Sequence, residues 1–481
     1  MSCGLGGDAF SIVWDGKTLQ GLNASGYAPQ AWNPDYFKNK YGVGPNGLAQ
    51  APKRGVDAIT VPGVVAGWAA LHERYGKLPF ADLMVPAIEI AERGYAVPPV
   101  VAQKWAAAVP ELKDQPGFAH TFMPNGRAPQ VGERFVFKDV AQTLRKIGAT
   151  KGRDLYEGET AEKLVAFIRA NGGAHTLEDF RQYRPDWVTP ISKNYRGYTL
   201  HEIPPNGQGI SALMALGILE HFDLASLKVD SVESQHIQIE AMKLAMADLY
   251  RYVADPRTME VTPEQMLDDA YLASRAKLID PNRATLFPPG NPSSGGTIYL
   301  TAADENGMMV SFIQSNYMGF GSGVVVPGTG VSFQNRGVGF SMDPKSANVV
   351  GGHKRPFHTI IPGFLTKGGE PVMSFGVMGG DIQPQGHVQT VVRMLDYDQQ
   401  PQAACCAPRW KLNRDFTLDV ESSMRAQTIE GLKGLGHTLK AIDDPYMDFG
   451  SGQFIWRLSR DLEDGYVVAS DSRRDGQAVG F

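Results

Sequence analysis

Cysteine is scarce in this 481-residue chain: there are three, two of them adjacent at Cys405 and Cys406. Three cysteines do not make a disulfide framework, so we expect a reducing compartment, with a cytoplasmic location fitting best. The chain also lacks an excess of basic residues, since its net charge is −5, and this argues against nucleic acid or an anionic membrane as a partner. No apolar run approaches the ~20 residues that span a bilayer, and the first residues show no signal peptide.

Hydrophobic residues make up 43% of the chain, enough for a large core, and 54 glycines and 32 prolines indicate many turns. The first part is rich in helical periodicity, and the part after residue 296 is rich in strands, predicted at 297–303, 308–315, 323–326, 331–334, 358–364, 372–378 and 416–421. This order predicts an α/β (α+β) fold in which sheets are sandwiched by helices. No repeat or linker divides the chain into independent domains.

The dipeptide Gly296-Thr297 stands at the boundary between these two parts. A turn-rich run, residues 287–296, precedes it, and two alternating strands joined by a turn at 304–307 follow it. A free N-terminal Thr can act alone, because its hydroxyl attacks a carbonyl while its own amine serves as the base. We therefore predict a proenzyme that cuts its chain between Gly296 and Thr297. The alternative is a β-branched residue that merely opens a strand.

A second candidate feature is Gly379-Gly380, which follows an apolar strand and precedes a predicted helix. Two successive glycine amides at such a junction can form an oxyanion hole. The alternative is a glycine-rich turn capped by Asp381.

At this point the sequence resembles the γ-glutamyltranspeptidase family of N-terminal nucleophile hydrolases over nearly its whole length. The matching blocks are residues 4–10 (GLGGDAF), 61–67, 75–79, 203–209 (IPPNGQG), 236–255, the strand at Thr297, 320–325, 354–356 (KRP) and 379–380. The resemblance implies an αββα four-layer sandwich, with residues 1–296 as the large chain and 297–481 as the small chain of one intertwined domain. It also implies that Thr297 is the nucleophile, that Ser315 supports it, and that Gly379 and Gly380 supply the oxyanion amides.

The departures from the family pattern concern the substrate. The Arg that holds the glutamyl carboxylate in the family's transpeptidases is replaced by Ser25, and the acid that holds the glutamyl amine falls on Gly339. Other substrate positions become Tyr317, Arg336 and the pair His358-Thr359. The cationic residues that remain, Arg336 with His358, suit a small anionic amide without an amino group.

The chain is most similar, in these substitutions, to the oxamate amidohydrolase type of purine (urate/allantoin) catabolism, which hydrolyses oxamate to oxalate and ammonia. A γ-glutamyltransferase or glutathione hydrolase, or a cephalosporin-type acylase, is the alternative within the class, and an uncleaved non-catalytic homologue is the alternative outside it. No cofactor is expected, and the histidines show no metal-ligand spacing. We expect the two processed chains to stay together. A homodimer of such pairs is an open possibility. We also expect the sequence to begin later than the sequences of family members.

Overall fold

The computed structural model describes residues 1–285, 296–444 and 449–480. The predicted turn-rich run before Thr297 lies, apart from Gly296, outside these residues. The strands within them are β1 (Asp8–Trp14), β2 (Leu19–Ala24), β3 (Tyr95–Ala96), β4 (Arg134–Phe135), β5 (Asp186–Val188), β6 (Ile191–Tyr195), β7 (Tyr198–Glu202), β8 (Gly296–Ala303), β9 (Met309–Tyr317), β10 (Val325–Val326), β11 (Val331–Ser332), β12 (Gly363–Lys367), β13 (Glu370–Met378), β14 (Trp410–Leu412), β15 (Leu418–Glu421), β16 (Leu439–Ile442), β17 (Ser451–Arg457) and β18 (Tyr466–Ser470).

The α-helices within the same residues are α1 (Pro34–Tyr41), α2 (Val64–Tyr75), α3 (Phe80–Arg93), α4 (Pro99–Leu112), α5 (Phe118–Phe122), α6 (Lys138–Thr150), α7 (Asp154–Glu157), α8 (Glu159–Ala170), α9 (Leu177–Arg181), α10 (Ile210–Leu219), α11 (Val232–Tyr252), α12 (Pro263–Met266), α13 (Asp269–Ala276), α14 (Gln383–Leu395), α15 (Pro401–Cys406) and α16 (Ala426–Gly434). Among the helices so described, none combines the length and the apolar character that crossing a membrane requires.

Two antiparallel sheets form the centre of the molecule. The first has the strand order β5-β2-β1-β9-β8, and the second has the order β18-β17-β13-β12-β7-β6. Each sheet combines strands from before and after residue 296, so the two parts of the chain are hydrogen-bonded to each other along β1–β9 and along β7–β12. The two parts of the chain therefore share both sheets.

Three apolar clusters show that the sheets are stacked and covered by helices. One cluster lies between the sheets and contains Phe10, Ile313 and Tyr299 from the first sheet with Phe364 and Ile455 from the second. A second cluster packs α2, α3, α6 and α8 against the outer face of the first sheet. A third packs α10, α11 and α14 against the outer face of the second sheet. The architecture is thus the predicted αββα sandwich.

Local patterning predicted the elements around residue 297 well. The hairpin of β8 and β9 is present, and the Gly307 amide donates to the Asp304 carbonyl in its turn, 3.1 Å away. The strand predicted at 358–364 was wrong: β12 begins only at Gly363. Pro362 lies inside the predicted span and has no N–H for a ladder bond, which explains the late start. Helix α4 was not predicted, since it begins at a Pro-Pro pair and contains Pro110.

Candidate active site

Thr297 lies at the start of edge strand β8, where the ladder with β9 is irregular. Gly296 is paired with Tyr317 but Ile298 with Gln314, so β9 carries an extra residue opposite Thr297. Such a bulge re-aims the neighbouring side chains. The Thr297 hydroxyl is buried, with the residue 2% exposed, and it donates to the Ser315 hydroxyl oxygen at 3.2 Å. The structure therefore brings Thr297 and Ser315 together.

Ser315 is itself held by the main chain of its own strand. Its hydroxyl oxygen accepts a hydrogen bond from the Tyr317 amide at 2.8 Å. Tyr317 has a φ of 73°, a conformation that non-glycine residues rarely adopt. Strain of this kind occurs often at functional sites, and here it lies two residues after Ser315, which contacts Thr297.

Gly379 and Gly380 form the turn between β13 and α14. Their φ values are 139° and 73°, which L side chains seldom reach, so the sequence needs glycine at both positions. A Cβ on Gly379 would also lie 2.8 Å from the Gly450 Cα. Gly379 and Thr297 both line a cavity of about 550 Å³. The predicted nucleophile and the first predicted oxyanion glycine thus border the same space.

Arg336 is a buried cation with only part of its hydrogen-bonding capacity used. It is 1% exposed, and its Nη1 donates to the Thr359 hydroxyl at 2.8 Å, while Nε and Nη2 have no hydrogen-bond partner among the described residues. Its guanidinium lies 4.6 Å from the centre of the Tyr317 ring. Nε–H and Nη2–H form one edge of the planar guanidinium and suit the two oxygens of a carboxylate. Burial lowers the pKa of Arg336 to about 10, so the group stays charged at neutral pH.

His358 does not supply the second cation that the sequence analysis expected. It is fully buried, and its pKa is held well below the usual value by burial first and then by the charges of Arg336 and Arg355. Its Nδ1 accepts from the Ile360 amide at 3.4 Å, which leaves Nε2–H to donate to the Asp8 carboxylate at 3.1 Å. His358 is therefore a neutral partner of Asp8 in this structure.

Asp8 is a residue whose role the sequence analysis missed, although its block was noted. One carboxylate oxygen accepts from the amides of Gly26 and Gly63, at 3.2 and 3.0 Å, and the other faces His358. Burial raises the pKa of Asp8 to about 6, and the charge of Arg336 opposes that rise. Among the described carboxylates, Asp8 therefore has the largest effect on the pKa of Arg336. The sequence did contain a signal for this role. Asp8 is an acid that follows a glycine-rich turn and begins an apolar strand, and a buried acid needs hydrogen-bond partners.

The two positions that the family resemblance assigns to glutamyl binding, Ser25 and Gly339, carry no charged side chain. Ser25 is fully buried, and its hydroxyl donates to the Asn23 side chain at 2.8 Å. A Cβ on Gly339 would lie 2.4 Å from the Phe357 carbonyl oxygen, so no acidic side chain fits without a shift of the backbone. No carboxylate for an ammonium group therefore fits at residue 339, while Arg336 keeps unused donors nearby in sequence. Arg336 is not among the described residues that line the cavity shared by Thr297 and Gly379.

Away from this site, His236, Glu240 and His437 place possible metal-ligand atoms within 4.8 Å of one another. Both ring nitrogens of each histidine already face protein groups. His236 Nε2 lies 2.8 Å from the Asp280 carbonyl oxygen, and its Nδ1 lies 2.8 Å from His437 Nε2. His437 Nδ1 lies 3.3 Å from the Lys243 ammonium. Lys243 in turn donates to Glu240 at 2.7 Å. An ion would have to displace these bonds, so the cluster works as a hydrogen-bond network between the two parts of the chain.

The chain is similar to known proteins in sequence and in structure. A family model described as Gamma-glutamyltranspeptidase matches residues 1–481. The glutathione hydrolase-like YwrD proenzyme of Bacillus subtilis (strain 168) is 36% identical over 99% of this chain and 90% of its own length. The oxamate amidohydrolase proenzyme of Klebsiella pneumoniae is 33% identical over the same shares of the two chains, 99% and 90%. The crystal structure of the cephalosporin acylase from Bacillus halodurans superposes with a TM-score of 0.92 at 46% identity, covering 99% of this chain and 87% of that one.

Proposed function

Because the chain belongs to the γ-glutamyltranspeptidase family and is a hydrolase of amide bonds, we propose that it matures by cutting its own chain at Gly296-Thr297 and then hydrolyses small amides that carry a carboxylate. Oxamate is the smallest such substrate and our first candidate. Its products are oxalate and ammonia, and the residues proposed for the reaction need no metal or organic cofactor.

In the proposed mechanism, cleavage before Thr297 frees its α-amine, whose reference pKa of ~7.7–8.0 suits a general base. Thr297 Oγ attacks the amide carbonyl, and its proton passes through the amine to the departing nitrogen. The amides of Gly379 and Gly380 stabilise the oxyanion, and water then releases the acid from the acyl-enzyme. The contact of Thr297 with Ser315 supports this assignment, because a hydroxyl that accepts from Thr297 Oγ orients it.

We propose that the two processed chains remain associated. After cleavage, β1 of the large chain would still pair with β9 of the small chain, and β7 would still pair with β12. The apolar cluster between the sheets draws on both chains in the same way. Separation would expose this core, so the cut changes connectivity and leaves the packing in place.

The observation that carries the substrate proposal is the unpartnered edge of Arg336. A charged group buried without partners is unfavourable, and a carboxylate on Nε and Nη2 would satisfy it. No acidic side chain fits at Gly339, so the proposed site has no carboxylate at that position for a substrate amino group. A short acid with its amide next to the carboxylate satisfies these conditions.

The second candidate is an acylase or a glutathione hydrolase. It is favoured by the similarity to the cephalosporin acylase and to the YwrD protein, both of which are more similar in sequence than the oxamate enzyme. Their substrates also carry carboxylates that Arg336 could bind. The two candidates differ in the size of the acyl group that must fit beside Thr297.

The test is to incubate matured protein separately with oxamate, a γ-glutamyl anilide and a cephalosporin with an amide-linked acyl side chain. Ammonia, free anilide and the freed cephalosporin amine are measured. The first proposal predicts ammonia release from oxamate with the highest kcat/KM of the three. Efficient turnover of only the anilide or the cephalosporin would reject oxamate and support the second candidate.

A further inference from the structure

The loop between β7 and α10, residues 203–209, carries a fully buried side chain that the mechanism above does not use. Gln208 is 0% exposed. Its Nε2 donates to two main-chain carbonyls at once, that of Thr359 at 2.5 Å and that of Gly380 at 2.9 Å. Its Oε1 has no hydrogen-bond partner among the described residues. Both donors of the carboxamide are therefore committed to these two carbonyls.

The two carbonyls belong to the two halves of the proposed site. Thr359 accepts from Arg336 Nη1 and so belongs to the group that would hold the substrate carboxylate. Gly380 belongs to the turn that would stabilise the oxyanion. One side chain thus joins the residue beside the anion anchor to the turn beside the reacting carbonyl, although the joined residues are 21 positions apart in sequence.

The main chain already fixes one end of this bridge. The Gln208 amide donates to the His358 carbonyl, and the His358 amide donates to the Asn206 carbonyl, each at 3.0 Å. The segment containing Thr359 is therefore docked on the loop without help from the Gln208 side chain. At the other end, the Gly380 carbonyl accepts from the Gln383 amide within its own turn and from Gln208. Loss of the side-chain bridge would therefore let the Gly379-Gly380 turn move relative to Thr359, whereas the loop at residues 203–209 would stay held to His358 by its main-chain hydrogen bonds.

We infer that Gln208 is a positioning residue that fixes the spacing between the carboxylate anchor at Arg336 and the oxyanion turn at Gly380, and that it thereby selects for short acids. This inference rests on the proposed function. In oxamate the carboxylate carbon is bonded directly to the amide carbon, so the distance between the two groups is fixed. The amide carbonyl therefore cannot move with a displaced turn while the carboxylate stays on Arg336. Succinamate has two methylenes between these groups and can adjust. A misplacement of ~1 Å costs roughly 100-fold in rate when geometry is rigid.

The experiment compares wild type with Gln208→Met, which keeps the length of the side chain and removes both donors. The values of kcat and KM are measured for oxamate, for succinamate, and for oxamide, which lacks the carboxylate. We expect kcat for oxamate to fall roughly 100-fold with KM changed by less than about threefold, and kcat for succinamate and oxamide to fall by less than about tenfold. An equal loss on all three substrates, or no loss on oxamate, would overturn the inference.

A control is Gln389→Met, because Gln389 Nε2 also donates to two main-chain carbonyls, those of Gln385 and Trp410, inside the core. Its Oε1 additionally accepts from the Trp410 amide at 3.2 Å, so this variant sets an upper bound on the structural cost of losing a buried carboxamide. A merely structural effect of losing a buried amide should appear in both variants, whereas the split between substrates should appear only at Gln208. If Gln208→Met fails to mature, Gln208→Asn carries the same test, since it keeps both donors on a side chain one methylene shorter.

The failure of the inference can be told from the failure of the proposed function. If the wild-type protein hydrolyses oxamide and oxamate with equal kcat/KM, the proposed function is contradicted, because the substrate carboxylate then contributes nothing. A wild-type protein that prefers oxamate, and whose preference is unchanged in Gln208→Met, contradicts only the inference. In the Arg336→Met background the effect of Gln208→Met on oxamate should largely disappear, because the anchor whose distance it sets is gone.

Discussion

Replacement of Arg336 by methionine should abolish the selection for a carboxylate while leaving the nucleophile intact. In the folded protein this guanidinium is 1% exposed and keeps Nε and Nη2 without partners among the described residues. A hydrogen bond to a charged group is worth ~1.5–3 kcal/mol, and two such bonds on one carboxylate give ~3–4 kcal/mol when partial non-additivity is allowed for. This corresponds to a loss of roughly 200- to 1,000-fold in kcat/KM for oxamate.

The assay measures kcat/KM for oxamate and oxamide in wild type, Arg336→Met and Arg336→Lys, with Arg251→Met as a control on an exposed arginine. Lysine keeps the charge but cannot form the two-pronged contact, so its activity should lie between the other two. Oxalate should raise the Tm of wild type and leave that of Arg336→Met unchanged, because only the former has the anion-binding edge. An oxamate-to-oxamide ratio that is unchanged in Arg336→Met would refute the reasoning.

Three further predictions concern the remaining parts of the structure. Ser315→Ala removes the acceptor of the Thr297 hydroxyl and should slow self-cleavage about 10- to 100-fold in a time course on denaturing gels, with rescue by Ser315→Thr. Gly379→Ala should lower the free energy of unfolding by about 2 kcal/mol more than Gly369→Ala, because both positions have positive φ but only the first meets neighbouring atoms; equal urea midpoints would contradict this. Burial, with Lys243 and His236 acting in the same direction, lowers the pKa of His437 to about 3, so the folded state takes up this proton later than the unfolded chain. The stability from neutral His437 is therefore complete above about pH 6.5 and is lost as the pH falls toward 3; in urea titrations between pH 6 and 4, wild type should lose up to ~1.4 kcal/mol per pH unit more than His437→Gln, and parallel curves would contradict it.

The parts of the fold and site that depend on local sequence could be predicted. The alternation of β8 and β9 and their turn at 304–307 indicated the hairpin that carries Thr297. The glycine pair after β13 indicated an oxyanion hole or a glycine-rich turn, and the positive φ values of Gly379 and Gly380 show why glycine is needed there. Such features are encoded within a few residues, so periodicity and turn chemistry reveal them.

Contacts between distant segments could not be predicted in the same way. Asp8 and His358 are 350 positions apart, and only their burial side by side makes the histidine neutral when its sequence position suggested a cation. The proximity of Arg336 to Thr359 was expected from the family resemblance, whereas the empty edge of its guanidinium follows from packing. The bridge made by Gln208 left no periodic or compositional signal, because a glutamine in a loop is ordinarily exposed.

The measurement that tests the central claim most directly is the intact mass and N-terminal sequence of the purified protein after incubation. We predict two fragments, residues 1–296 and 297–481, with threonine as the new N-terminus, and a single uncut chain in Thr297→Ala. A wild-type protein that hydrolyses amides as one uncut chain, or a Thr297→Ala variant that still cleaves, would contradict the claim that Thr297 and its freed amine are the catalytic group.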